Sequence, residues 1–198
     1  MIGFMQGRFS ALVNGKIQAF PWMDWSQEFC LAEKYGFHLM EWTLDQEDLY
    51  KNPLMTVDGQ REIRALVERH NVAIQSLTGD CFMQAPFWKD NSTNSEQLKK
   101  DFCSIVDACA VLGIKMIVIP LVDQGRLEDG KQEDALVNFL DRQTESLMKK
   151  DVKIIFESDF APSEFSRFIE RLHQGVFGVN YDTGNSASLG FEIGRAHV

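Results

Sequence analysis

Six short apolar runs alternate along the chain with stretches patterned as helices, and this alternation leaves very few architectures open. The runs fall near residues 2–5, 37–42, 72–77, 114–119, 152–156 and 176–181. They are continuously apolar rather than alternately apolar and polar, which predicts parallel strands covered on both faces. The stretches between them carry helix punctuation. Asp24 is placed to cap a first helix that stops at Gly36, a residue suited to left-handed backbone. A second helix is predicted from about Val57 to His70. Thr93 and Glu96 form a capping box for a third, whose apolar stripe is Leu98, Phe102, Ile105, Cys109 and Leu112 and whose stop is Gly113. A fourth is predicted over roughly Gln132 to Lys150, with Leu136, Leu140 and Leu147 facing inward. The fifth opens at Pro162, where a missing N–H costs nothing, and reaches about Leu172.

Strict strand–helix alternation builds either a doubly wound sheet or a (β/α) barrel. No GxGxxG or GxxxxGK[ST] loop follows any strand, so the usual mark of a nucleotide-binding sheet is missing. Polar residues instead follow every strand: Gln6 and Arg8, Glu41, Asp80, Asp123, Glu157, Asp182. That distribution predicts an α/β barrel whose loops converge on one mouth. Eight βα units need about 250 residues. With 198 residues and six strands, the expectation is an incomplete barrel domain over residues 1–191. Residues 192–198, EIGRAHV, read in frame as the start of a common sequencing adapter (GAG ATC GGA AGA GCA CAC GTC). They are expected to be a non-native tail, and His197 to carry no function.

Two strands run straight into a carboxylate, IIFE at Glu157 and VFGVNYD at Asp182. Acids aimed at one point from successive strands repel unless a cation, a shared proton or a basic group lies between them, and a divalent metal is the favoured explanation. Composition narrows the alternatives. A net charge of -9 argues against nucleic acid as a partner, although a metal and a local basic patch would still allow a nuclease. The longest apolar run, GIKMIVIPLV, is too short to span a bilayer, and the first ten residues lack a signal-peptide profile, so no membrane partner is expected. Cys30, Cys81, Cys103 and Cys109 form no CxxC pair and no zinc spacing, which predicts buried free thiols and a cytoplasmic location.

With these motifs placed, the chain resembles the xylose isomerase-like TIM-barrel superfamily, in particular its sugar phosphate isomerase/epimerase branch. The supporting strings are IGFMQGR, IQAFPW, LMEWT, SLTGDCF, FESD and NYDTGN, of which the last two are the most specific. The resemblance implies one divalent ion (Mn, Mg, Co or Zn) held by a Glu from strand five, an Asp from strand six, a His from strand seven and a Glu from strand eight. Glu157 and Asp182 match the first two, and the other two would lie beyond these strands. It further implies proton transfer beside a carbonyl through an enediolate, with Glu157 as ligand and acid/base and Asp182 as ligand only. An open six-strand partial barrel exposes apolar strand edges and inner-face side chains, so the isolated chain is expected to be inactive or poorly soluble.

Other readings of the same residues stay open. Asp182 also suits an Asx turn with Thr183 and Gly184. Glu41 is placed either to bind substrate hydroxyls or to pair with an arginine of the mouth. Gln6 and Arg8 suit a polyhydroxy or anionic substrate, Arg8 as a phosphate fork or simply in a surface ion pair. Asn185 stands where several members of the superfamily place a substrate-contacting His. Phe20 and Trp22 wall the pocket or pack in the core, and His38, His70 and His173 read as structural. The function expected is a metal-dependent isomerase or epimerase of a sugar or sugar phosphate, with a homo-oligomer left open. Alternatives are an AP-endonuclease-like hydrolase, which needs a His-rich metal cluster, a glycosidase using Glu41 and Glu157, and a non-catalytic barrel fragment.

Overall fold

The computed structural model describes residues 2–13, 15–16, 18–89 and 93–191, the Thr93 side chain excepted. The expected Thr93 cap and the 192–198 tail with His197 lie outside the described residues. Six strands, β1 (Phe4–Met5), β2 (Leu39–Thr43), β3 (Ala73–Thr78), β4 (Met116–Leu121), β5 (Lys153–Ser158) and β6 (Phe177–Val179), form one parallel sheet in chain order. Among the described residues seven α-helices accompany them: α1 (Gln27–Tyr35), α2 (Val57–His70), α3 (Asp80–Gln84), α4 (Thr93–Leu112), α5 (Gly130–Lys150), α6 (Pro162–Glu170) and α7 (Thr183–Ser188). Unbroken sequential order is barrel topology. A doubly wound sheet would reverse direction at an inner strand.

Local chemistry accounts for most boundaries. The Thr56 hydroxyl accepts the Gly59 N–H at 3.1 Å to open α2, and Asp129 Oδ1 accepts the Gln132 N–H at 2.9 Å to open α5. Gly36 (φ 76°) and Gly113 (φ 75°) end α1 and α4 in left-handed backbone. The expected Asp24 cap is corrected. Residues after Pro21 form successive turns in which the Asp24 carbonyl accepts the Gln27 N–H at 2.9 Å, and Ser26 takes the cap position without a side-chain bond. Glu96 pairs with Lys99 at 2.7 Å on the surface of α4.

The core lies between the sheet and its helices. On β5, Ile154 and Phe156 are fully buried while Ile155 and Glu157 are half-buried, so the two-residue period of the strand sends Glu157 to the opposite, concave side. Phe156 meets Phe168 of α6 edge-on at 5.2 Å between ring centroids. On β2 the same alternation buries Met40 and Trp42, and Trp42 packs on Phe20 and Trp25. Phe87, Phe102 and Phe139 form a second aromatic group beneath α4 and α5. Each such fully buried ring contributes about 1.5–3 kcal/mol.

Of the four cysteines, all free, only Cys81 and Cys109 are buried. Cys30 is exposed, contrary to expectation, because α1 turns Glu28, Phe29 and Ala32 inward and leaves position 30 on its solvent face. Among the described residues no helix is long and apolar enough to cross a membrane.

Candidate active site

A cavity of about 890 Å³ opens at the C-terminal ends of the strands. Its wall includes Glu41 from β2, Thr78 and Asp80 from β3 and α3, and Asp123 after β4. Glu157 from β5 and Asn180, Asp182 and Asn185 after β6 continue it, and Arg8, Lys16 and Gln18 enter from the loop after β1. Four of the six residues singled out for ligation, proton transfer or substrate contact are carboxylates or amides gathered here: Glu157, Asp182, Glu41 and Asn185. Arg8 joins them from the rim. Gln6 does not line the cavity. It is fully buried behind the wall, where its Oε1 accepts the Thr43 N–H and its own carbonyl accepts the Thr43 hydroxyl, each at 3.2 Å.

Glu157 is held on both oxygens. Asn180 Nδ2 donates to Oε2 at 3.2 Å and Asn185 Nδ2 to Oε1 at 2.8 Å. Burial raises its pKa above the usual carboxylate value, and the Asp182 charge raises it further, while the two amide donors pull the other way and Glu41 adds to the rise. Asp182 performs the turn role as well as facing the cavity: its Oδ1 accepts the Asn185 N–H at 2.8 Å and caps α7. Glu41 Oε1 accepts the Thr78 hydroxyl at 2.5 Å.

Several residues of the wall were not singled out from sequence. Asp80, noted only as a strand-end acid, is 2% exposed, and Gln18 Nε2 donates to both its oxygens at 2.9 Å. Burial, followed by the charges of Asp45, Glu157 and Glu41, pushes its pKa up to about 7 against the pull of Gln18. Asn180 directly follows a strand, a signal that could have found it; Gln18 lies 62 residues from Asp80 with no local pattern to link them. Glu28 of α1 is also new. It is fully buried and accepts the N–H groups of Gly7 and Phe9, at 2.9 to 3.0 Å, so it ties the Arg8 loop to the barrel.

The histidines lie elsewhere. His70 pairs with Glu33 at 2.7 Å, His38 approaches the Asn71 carbonyl at 3.1 Å, and His173 accepts the Gly175 N–H at 3.2 Å. Phe20 is fully buried, and with Trp22 it borders a small separate recess of about 70 Å³. Among the described residues no group of three or more His, Cys, Asp or Glu side chains converges as a ready metal shell. The pair Glu157 and Asp182 nevertheless fits part of one. Both are hard oxygen donors, they face one cavity, and their mutual repulsion is what a divalent cation would relieve.

Comparison with known proteins follows the same lines. No curated protein sequence matches the chain. Among solved structures, a xylose isomerase-like TIM barrel protein from Mycobacterium smegmatis in complex with magnesium superposes with a TM-score of 0.66 at 15% identity, over 93% of this chain and 65% of that one. D-psicose 3-epimerase from Clostridium cellulolyticum with D-tagatose gives 0.66 at 14% identity, over 86% and 61%. A sugar phosphate isomerase/epimerase from Parabacteroides distasonis gives 0.62 at 13% identity, over 86% and 64%. The chain thus spans less than two thirds of the length of each, and likeness at such identity speaks for the fold. The family described as xylose isomerase-like TIM barrel matches residues 29–193, most of the chain. A parallel sheet in sequential order, opening its strand ends onto one acidic cavity, is the arrangement expected of that match, and the chain belongs to the xylose isomerase-like TIM-barrel family.

Proposed function

We propose that this cavity serves a metal-dependent isomerase or epimerase acting on a sugar or sugar phosphate, with Glu157 exchanging a proton at the carbon beside a carbonyl. One observation carries the reading: Glu157 is half-buried in the cavity, each oxygen is held by an asparagine amide, and burial with the nearby Asp182 charge raises its pKa toward the range useful in proton exchange. Glu157 and Asp182 would hold the divalent ion. When bound, such an ion supplies Lewis acidity toward a carbonyl or hydroxyl oxygen and makes the neighbouring C–H more acidic.

The chain's own residues account for the remainder. Asn180 and Asn185 fix the Glu157 carboxylate in one orientation, so its proton transfer is directed to one point in the cavity. Glu41, its Oε1 already taken by Thr78, keeps a second oxygen for a substrate hydroxyl. Arg8 at the rim suits an anionic or hydroxylated end of the substrate. The wall holds carboxylates and amides without a histidine among its described residues, which favours polyol chemistry over the His-rich phosphodiesterase alternative. The sugars bound by the structural relatives, D-tagatose among them, supply the first compounds to try.

The test is incorporation of solvent deuterium into D-fructose, D-tagatose and ketose phosphates in the presence of Mn²⁺ or Mg²⁺. Exchange by the wild-type protein that disappears in Glu157→Gln supports the proposal. Exchange that persists in Glu157→Gln overturns the role of Glu157.

A further inference from the structure

A second buried acid borders the cavity across β4 from Glu157, and the function proposed above gives it no role. Asp80 opens α3 directly after β3, two strands from Glu157, with β4 between them. The β4 residue opposite Glu157 in register is Pro120, and Pro120 and Val122 give the intervening wall an apolar surface. Neighbouring strands lie about 4.8 Å apart, so strand ends two places apart are separated by roughly 10 Å, a gap that a sugar can bridge with a hydrogen bond at each end.

The surroundings of Asp80 are unusual for a structural acid. It is 2% exposed yet borders the cavity. Among the described residues no ion pair reaches it; the carboxylates Asp45, Glu157 and Glu41 are its charged neighbours. Among the described residues its side-chain partner is one amide nitrogen, Gln18 Nε2, shared between both oxygens. A carboxyl group offers about four acceptor positions, so a single shared donor leaves much of its hydrogen-bonding capacity for whatever enters the cavity. A buried acid that serves only the fold is normally paired with a cation or with several backbone N–H groups, as Glu28 is with Gly7 and Phe9. Asp80 has neither, and its pKa near 7 lets it present an O–H or a carboxylate oxygen as the ligand requires.

We propose that Asp80 is a substrate-contacting residue that hydrogen-bonds a hydroxyl or carbonyl oxygen of a ketose on the β3 side of the cavity, opposite the carbon served by Glu157, and that Gln18 is the residue that positions it. This inference rests on the function proposed above and adds a specificity contact to it. Gln18 belongs to the loop after β1, so the contact also couples that loop to the substrate. A ketose whose hydroxyl on that side is missing or inverted loses the contact and binds more weakly.

The test is calorimetric or NMR titration of the Mg²⁺-supplemented protein with D-tagatose and D-fructose, which reads binding without turnover. Asp80→Ala is expected to weaken ketose binding about tenfold, the loss of one well-placed hydrogen bond, and Asp80→Asn by no more than about threefold because its amide still donates and accepts. Gln18→Ala is expected to cost several-fold alone, but nothing further in the Asp80→Ala background, because it acts through Asp80. Circular dichroism of each variant identifies any that fails to fold, and the Asp80→Asn comparison then carries the result. If the wild type binds neither ketose, the proposed function falls and this inference with it. If the wild type binds while Asp80→Ala binds equally well, or if the Gln18 and Asp80 effects simply add, the Asp80 assignment is overturned and the function proposed for Glu157 stands.

Discussion

Asn185 joins the two acids at the strand ends: its backbone N–H donates to Asp182 Oδ1 at 2.8 Å, and its side-chain amide donates to Glu157 Oε1 at 2.8 Å. Two like charges are thereby held in a fixed relation by one neutral residue in the first turn of α7. The short helix is what turns Asn185 back toward the cavity, so its cap and the position of Glu157 depend on each other.

Replacing Glu157 with Gln keeps the volume but removes the proposed base. Deuterium exchange into a ketose should fall at least about 100-fold, the usual contribution of a positioned general base. One half of the new amide would point a donor at Asn180 or Asn185, so a small loss of stability, on the order of 1 kcal/mol, should accompany it. Exchange kinetics and urea unfolding of the same variant separate the two effects. Unchanged exchange would contradict the assignment.

Asp182 caps α7 and is proposed to ligate the ion, and substitution can divide the two. Asn caps a helix about as well as Asp, so Asp182→Asn should leave the metal-free protein within about 0.5 kcal/mol of wild type, whereas Asp182→Ala should cost about 1 kcal/mol. Ligation behaves differently. Saturating Mn²⁺ or Mg²⁺ should raise the unfolding temperature of the wild type by a few degrees through mass action and should do so for neither variant. A thermal shift that survives in Asp182→Asn would remove Asp182 from the ligand set.

The buried Glu28 should prove one of the most sensitive positions outside the cavity. Truncation to Ala leaves the N–H groups of Gly7 and Phe9 without their acceptor, a cost of about 1–3 kcal/mol for each buried group left unsatisfied. Glu28→Gln keeps one acceptor oxygen and should lose less. Because the loop these bonds anchor carries Arg8, Glu28→Ala should also weaken ketose binding more than its stability loss alone implies, a difference that titration at low temperature would reveal.

How much of this was legible in the sequence varies with the range of the interaction. The six strands were legible because continuous apolar runs report burial on both faces, and α2 was legible to the residue because Thr56 and His70 bracket one amphipathic stretch. The placement of Glu157 and Asp182 at the cavity was legible because an acid at or just past the end of a strand is delivered to the mouth of a parallel barrel. Asp24 misled because a good capping residue is only a local preference, and the turns after Pro21 moved the cap from Asp24 to Ser26. Cys30 misled because thiol burial depends on which face of α1 meets the sheet. The pairings of Gln18 with Asp80 and of Glu28 with Gly7 and Phe9 left no trace, since they join polar residues far apart in sequence and no periodicity records a side-chain bond.

Asp80 should also be visible in the pH dependence of stability. Its carboxyl has a pKa of about 7 in the folded protein, against an ordinary value of 3.8. Below pH 3.8 both states carry the proton and the group contributes no difference. Between pH 3.8 and 7 the folded state keeps a proton that the unfolded chain releases, so each rise in pH favours unfolding, and above 7 the loss is complete. Between pH 5 and 8 the wild type should therefore lose about 2–3 kcal/mol of stability through this group, at about 1.4 kcal/mol per pH unit over the part of the interval below 7. Asp80→Asn cannot ionise and should lack this component, so its unfolding free energy should fall less across the same interval. Urea unfolding of both proteins at pH 5 and pH 8, with a chelator present to exclude divalent ions, measures the difference directly. Parallel pH profiles would mean that Asp80 is already ionised in the folded protein at pH 5, and that a neighbour other than Gln18 stabilises its charge.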